Sequence, residues 1–145
     1  MEDVLRAIPH RPPFLFVDEI IEIDQDRILA RRTIRADEPY FKGHYPGNPL
    51  MPGVLLCESV IQAGAIMLSR RIEGGAGKVP ILTRIQNAKF KRQVRPGDVV
   101  DLEAKLTEQI GDAFFCRGSA LVGGKRVMTL EFACALADKS SAQMG

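Results

Sequence analysis

The residue of this sequence best suited to acid chemistry is Glu58, a carboxylate within an otherwise apolar run. Residues 55–57 and 60–61 around it are apolar. An ionised carboxylate loses hydration in such surroundings, so burial favours the protonated form unless a charge or hydrogen bond compensates. A carboxyl held in that form could donate a proton. The alternative is a structural residue that is solvated at a seam or paired with an arginine.

The second candidate is His44, one of two histidines, in a loop rich in proline and glycine. Three prolines and three glycines between 43 and 53 restrict the loop and allow close approach, so they can hold His44 in place. A neutral imidazole can accept a proton near about pH 7. The helix start at Gly53-Val54 could direct N–H groups toward a developing negative oxygen.

Each histidine also has a purely structural interpretation. His44 could simply hydrogen-bond a carbonyl and stiffen its turn. For His10, inside Pro9-His10-Arg11-Pro12-Pro13, we prefer that structural interpretation.

The elements that must position these side chains are a hairpin, a helix and a run of strands. A short helix is predicted at Glu2 to Ala7, and one long helix begins near Pro52 and continues to Leu68. The long helix is apolar on nearly every face and must be enclosed by protein. Glu73 to Gly77 forms a linker after it. Strands are predicted near 14–23, 27–35, 79–92, 98–109, 112–122 and 125–137.

This order predicts an α+β fold in which an antiparallel sheet of about six strands curls around one long central helix. The 145 residues fit one domain, 1–145, with an N-terminal arm at 1–13 and a flexible tail at 138–145. One helix cannot cover both faces of such a sheet, nor can one chain easily bury the sheet edges. We therefore expect a dimer.

Composition excludes several classes of protein. The longest mostly apolar stretch, Val54 to Leu68, is too short to span a bilayer. The start of the chain lacks the apolar segment of a secretory signal, so we predict a cytoplasmic protein. Cys57, Cys116 and Cys134 are widely spaced and odd in number, which indicates buried reduced thiols rather than disulfides or a zinc site. Two histidines without partners at ligand spacing make a metal site improbable.

The charge of the chain is uneven. The net charge of +2 is too small to indicate a nucleic-acid-binding protein. Eight basic residues and one acid lie between Arg70 and Arg95, a local charge of +7. This basic stretch is either the solvated edge of a strand, protected by lysines, or a docking patch for an acidic partner.

Three motifs carry a family resemblance. They read Pro9-His10-Arg11-x-Pro13-Phe14-Leu15-Phe16-Val17-Asp18, Gly43-His44-Tyr45-Pro46-Gly47-x-Pro49-x-Met51-Pro52-Gly53-Val54-Leu55-x-x-Glu58-x-x-x-Gln62 and Ala88-Lys89-Phe90-Lys91-Arg92-x-Val94-x-Pro96-Gly97-Asp98. The sequence resembles the 3-hydroxyacyl-ACP dehydratases of the FabZ type from about residue 4 to 137. The central motif is the most specific, since both the residue types and the His-to-Glu spacing agree.

The resemblance implies a hot-dog fold, homodimers that often assemble further as trimers of dimers, and no metal or organic cofactor. It also implies dehydration of a 3-hydroxyacyl chain to the trans-2-enoyl product in fatty acid biosynthesis. The substrate is carried on the phosphopantetheine arm of acyl carrier protein. That acidic partner would suit a basic docking surface that includes Arg84, Lys89, Lys91 and Arg92.

On the matching positions, the resemblance makes His44 the catalytic histidine and Glu58 the catalytic carboxyl, contributed to one site by different subunits. His44 would take the C2 proton, the Gly53 amide would stabilise the enolate-like oxygen, and protonated Glu58 would help the 3-hydroxyl leave. Gln62, one turn beyond, is assigned to the substrate-binding residues, and it either orients Glu58 or is simply a polar residue of the helix.

Three apolar residues have two interpretations. Val54, Leu55 and Phe90 could line an acyl tunnel, although apolar core is the simpler interpretation.

The chain departs from the family pattern in the strand that begins near Val79. It carries Ile81-Leu82-Thr83-Arg84-Ile85-Gln86 where relatives often have an aromatic pair followed by Ala-Gly-Ile-Asp. An aromatic gate is therefore absent, and Arg84 either contacts the carrier's phosphate or blocks the usual channel. Two other functions stay open: a hot-dog thioesterase in which Glu58 activates water, and a non-catalytic carrier-binding subunit.

Overall fold

The computed structural model describes residues 1–44, 47–72 and 77–138. Its elements are α1 (Glu2–Ala7), β1 (Glu19–Ile23), β2 (Arg27–Thr33), a 3-10 turn (Pro39–Lys42), α2 (Gly53–Ser69), β3 (Lys78–Phe90), β4 (Val99–Ile110), β5 (Ala113–Val122) and β6 (Lys125–Asp138). The strands form one antiparallel sheet in the order β1-β2-β4-β5-β6-β3. The predicted α+β, hot-dog architecture is confirmed. The linker residues 73–76 and the tail residues 139–145 lie outside the described residues.

Helix α2 is the centre of the core. From Leu56 to Leu68 every side chain except that of Glu58 is buried, which confirms the predicted enclosure. Two glycines allow the close packing: a Cβ on Gly64 would stand 2.6 Å from Phe132 Cζ, and one on Gly118 would stand 2.3 Å from Val60 Cγ1. Neither separation is possible for real atoms, so the helix approaches the sheet only because these positions lack side chains.

The first strand is shorter than predicted. Residues 14–18 lie outside any strand, and β1 begins only at Glu19. The reason is the side chain of Gln62, whose Oε1 accepts the Phe16 N–H at 2.8 Å and whose Nε2 donates to the Phe14 carbonyl at 2.9 Å. These bonds satisfy backbone groups that would otherwise pair with a neighbouring strand. The apolar pattern of this segment reflects burial against the helix.

A buried ionic cluster fixes the start of the loop that leads to His44. Glu38 is buried and pairs with Arg32, which also contacts Asp18 Oδ1 at 3.4 Å. The second oxygen of Glu38 accepts the Arg35 N–H and the Tyr40 hydroxyl, each at 3.0 Å. Burial raises the pKa of Tyr40 to about 12. The 3-10 turn is therefore tied to β2 by several bonds.

The predicted hairpins of the meander are present. Gly111 and Gly123 adopt φ of 58° and 59°, the left-handed region in which glycine avoids a steric penalty. The three cysteines are buried and free, as expected, and burial raises the pKa of both Cys116 and Cys134 to about 12. No helix in the described ranges is long and apolar enough to cross a membrane.

Candidate active site

Glu58 faces a cavity of about 260 Å³ between the N-terminal segment, α2 and β3. Its side chain is 22% exposed, so it is neither sealed in the core nor on the open surface. Oε2 accepts a hydrogen bond from Gln62 Nε2 at 2.9 Å and lies 3.7 Å from His10 Nε2. The cavity is lined by Pro9, His10, Glu58, Ile61, Gln62, Ala65, Val79, Pro80, Ile81, Leu82 and Cys134.

Gln62 connects this carboxyl to the N-terminal segment. It is fully buried, and its side-chain amide bonds to Phe16 N, Phe14 O and Glu58 Oε2. Of the two interpretations given above, the hydrogen bond to Glu58 supports the orienting one. Contact of Gln62 with substrate stays a prediction.

His10 is the residue of this site that the sequence analysis missed. Its Nδ1 is buried with no hydrogen-bond partner, and its Nε2 faces Glu58, so the carbonyl bond expected of a stiffening histidine is not formed. Burial lowers the pKa of His10, the main cause, while Glu58 raises it and Arg11 lowers it. The imidazole is therefore neutral at about pH 7. The only sign in the sequence was its place in the first motif.

His44 lies before α2 with Nδ1 2.8 Å from the Leu50 carbonyl oxygen. This contact favours the tautomer that carries its proton on Nδ1, which makes Nε2 the basic nitrogen. It suits both a stiffened turn and a positioned base. The next two residues of the loop, Tyr45 and Pro46, lie outside the described residues. His44 does not line the cavity of Glu58, so the pairing of the two stays a prediction about two subunits.

Gly53 and Phe90 lie together at the start of α2. A Cβ on Gly53 would stand 2.8 Å from Phe90 Cε1, so the ring lies directly against the helix N-terminus. The first N–H groups of a helix have no acceptor within it, and that of Gly53 is one of these. Val54 is 73% and Phe90 53% exposed, which excludes the core alternative for both. Within one chain neither lines the cavity of Glu58.

The four residues assigned to carrier binding are all exposed: Arg84, Lys89, Lys91 and Arg92. Arg84 does not enter the cavity of Glu58; it lines a smaller one of about 140 Å³ with Arg117 and Glu131. In one chain Arg84 therefore leaves the space beside Glu58 open.

Comparison with known proteins shows the family of this chain. The family model described as the FabA-like domain matches residues 8–131. The chain belongs to the FabA-like family. It is similar to the 3-hydroxyacyl-(acyl-carrier-protein) dehydratase FabZ of Anaeromyxobacter sp. (strain K), with 40% identity over 94% of this chain and 89% of the relative. The FabZ of Lactococcus lactis subsp. lactis (strain IL1403) is 40% identical over 90% of this chain and 85% of its own. The resemblance to the FabZ type is thereby confirmed.

A solved structure shares the fold of this FabA-like protein. The dehydratase heterocomplex ApeI:P from Xenorhabdus doucetiae superposes with a TM-score of 0.82, covering 97% of this chain and 95% of the other. The sequences are 18% identical, so the likeness concerns the fold.

Proposed function

We propose that this FabA-like protein is a hydro-lyase that removes water from a 3-hydroxyacyl chain on acyl carrier protein and yields the trans-2-enoyl product in fatty acid biosynthesis. The observation that carries the proposal is the position of Glu58. The carboxyl predicted to act on the hydroxyl opens into a cavity and is held through one oxygen by a buried amide. Its FabZ relatives bear the name of this activity and match nearly the whole chain.

The proposed reaction breaks a C–H bond at C2 and a C–O bond at C3. His44 Nε2 takes the C2 proton, and the Gly53 N–H stabilises the negative charge that develops on the thioester oxygen. The electron pair from C2 forms the double bond as the 3-hydroxyl leaves. Glu58 supplies the proton that makes the leaving group water rather than hydroxide.

A homodimer is part of the proposal, because the proposed site takes His44 and Glu58 from different chains. Strand β3 supports it: β3 is one of the two edge strands of the sheet, and all residues from Ile81 to Phe90 are exposed. Ile81, Leu82 and Ile85 expose apolar surface there, which a solvated edge strand avoids. A second copy packed on this strand would cover these apolar side chains in a symmetric contact. Further assembly of such dimers into trimers of dimers stays a prediction.

The proposed carrier interaction rests on charge. The exposed basic residues near the end of β3 would attract an acidic carrier and bring its phosphopantetheine arm toward the site. Arg84, on the same strand, would meet the carrier or its phosphate. A cytoplasmic location, where such carriers would be encountered, stays the prediction from sequence.

The competing functions predict different products from the same substrates. The protein is given a 3-hydroxyacyl thioester and a trans-2-enoyl thioester, and enoyl absorbance and free thiol are followed separately. We expect interconversion of the two acyl forms without thiol release. Thiol release without interconversion would indicate a thioesterase, and no reaction by the homodimer would favour a non-catalytic carrier-binding subunit.

A further inference from the structure

We propose that His10 is a positioning residue for Glu58: together with Gln62 it holds Oε2 as the accepting oxygen of the carboxyl, so that the acidic proton lies on Oε1 and is delivered from there. This inference rests on the proposed elimination of water. It adds to that mechanism a second histidine, which acts through Glu58, and the identity of the oxygen that carries the proton.

The orientation of the Gln62 amide fixes the role of Oε2. Its oxygen accepts the Phe16 N–H, so the two hydrogens of Nε2 point to the Phe14 carbonyl and to Glu58 Oε2. A flipped amide would place its oxygen against a carbonyl oxygen and its NH₂ group against an N–H. Oε2 therefore always faces a donor. In the protonated carboxyl, the hydrogen must consequently be on Oε1.

His10 is the second group near the same oxygen, and it lines the same cavity. Its Nε2 lies 3.7 Å from Oε2, beyond hydrogen-bond range. Such catalytic contacts often tighten only when substrate is bound. The backbone around the ring is anchored, since Arg11 donates to the carbonyls of Ile8 and His10 at 2.9 and 2.7 Å. The remaining gap between Nε2 and Oε2 is small enough for a shift of the two side chains to close it.

The acceptor character of Oε2 also selects the tautomer of His10. A proton on Nε2 gives Oε2 a second donor, and it leaves Nδ1 as the unprotonated nitrogen, which has no partner. A neutral imidazole bonds the carboxyl without fixing it as a carboxylate. A charged one would stabilise the ionised form and oppose proton donation.

The surroundings of the ring favour the neutral form. Burial lowers the pKa of His10, and the Arg11 charge lowers it further, against the raising effect of Glu58. Cys134 on β6 faces the same cavity, and burial raises its pKa to about 12, so it is uncharged. The cations Arg6 and Lys78 line an adjoining cavity of about 360 Å³, which also reaches His10.

Two amide substitutions separate the nitrogens of His10. In His10→Gln the side-chain amide can occupy the position of Nε2 and still donate to Glu58. In His10→Asn it can replace only Nδ1, so it is the matched control that cannot reach Oε2. Each variant is assayed with a 3-hydroxybutanoyl and a 3-chlorobutanoyl pantetheine thioester, corrected for enzyme-free elimination. Chloride leaves without a proton, so its elimination needs His44 but no acid.

We expect His10→Asn to lower kcat for water elimination by about 10- to 100-fold, with KM little changed, because a misplaced acid loses much of its effect. His10→Gln should retain most of kcat. Chloride elimination should be unchanged in both variants, which also shows that they are folded. A merely structural role would lower both eliminations together.

The inference is overturned if both variants lose water and chloride elimination in parallel, if His10→Asn keeps the wild-type rate for water, or if His10→Gln is as impaired as His10→Asn. Failure of the proposed function is distinguishable. In that case the unaltered protein itself eliminates no water from the 3-hydroxy substrate, and the inference fails with it.

Discussion

Gln62 Nε2 donates a hydrogen bond to Oε2 of Glu58 at 2.9 Å, one helical turn away on α2. The same amide holds the backbone of Phe14 and Phe16. The orientation of the Glu58 carboxyl is thus coupled to the packing of the N-terminal segment on the helix. Under the proposed mechanism, a change at Gln62 should therefore affect both stability and proton transfer.

Gln62→Met keeps the approximate size of the side chain and removes its three hydrogen bonds. Leaving the buried Phe16 N–H unpaired should lower the free energy of unfolding by about 1–3 kcal/mol, and loss of the part-buried bond to the Phe14 carbonyl should add a smaller amount. The rate of dehydration should fall as well. The control is Ser59→Ala, which removes a buried hydroxyl bonded to the Leu55 carbonyl on the same helix without touching Glu58. Denaturant unfolding measures the stability of each variant, and kcat measures its rate of dehydration. Equal values of kcat for the two variants would contradict the orienting role of Gln62.

Gly53→Ala should impair the site through the Phe90 ring. The new methyl would stand 2.8 Å from Phe90 Cε1, so the ring or the helix N-terminus must shift. We expect a several-fold loss of kcat/KM, because the Gly53 N–H is displaced from the thioester oxygen. The double variant Gly53→Ala, Phe90→Ala has no ring at this position. Its loss of kcat/KM, expressed as a free energy, should be smaller than the sum of the losses in the two single variants. Additive losses would show that the two residues do not interact.

The burial of His10 should make stability depend on pH in one window. The folded protein holds the pKa of His10 below its ordinary value of 6.5, so the unfolded chain binds more protons around that pH. The contribution of His10 to the free energy of unfolding is therefore fully present above about pH 6.5, and it is lost as the pH falls through the pKa of His10 in the folded protein. The free energy of unfolding is measured between about pH 5 and pH 8 for the wild type and for His10→Asn. In the variant, the free energy of unfolding should change less steeply with pH. Identical slopes for the two proteins would contradict the lowered pKa of His10.

Reversing the charge at Lys89, Lys91 and Arg92 should weaken turnover of carrier-linked substrate. All three are exposed, so the substitutions should leave the fold intact. We expect KM for the carrier substrate to rise and its dependence on salt to diminish, since screening acts on the charges removed. Turnover of a short pantetheine substrate is the control and should not change. An unaltered salt dependence would contradict the docking surface.

The pattern of residues along short stretches of the sequence was sufficient to predict the long helix and the hairpins. The long apolar run predicted α2 almost to the residue, and the glycine turns marked the hairpins of β4, β5 and β6. Residues 14–17 look like a strand because they are apolar, yet their backbone is bonded by Gln62, 46 residues away from Phe16. A contact of that range leaves no trace in a short window of sequence.

Contacts between residues far apart in the sequence also explain why His10 was not predicted as a residue of the site. His10 meets Glu58 because the N-terminal segment packs against α2, and nothing near His10 in the sequence indicates that contact. Val54 and Phe90 are apolar but exposed, which composition cannot distinguish from core. Hydrophobic pattern indicates that a residue avoids water, and not whether its own chain or a partner covers it.

The pairing of His44 with Glu58 across two subunits can be tested by mixing two inactive variants. His44→Ala and Glu58→Gln should each lose about 100-fold or more of the activity, since each removes one group of the acid–base pair. After the two are unfolded and refolded together, half of the dimers contain both chains, and one of their two sites has both intact residues. The mixture should regain about a quarter of the wild-type rate. Recovery of no activity, with mixed dimers shown to be present, would contradict the shared site.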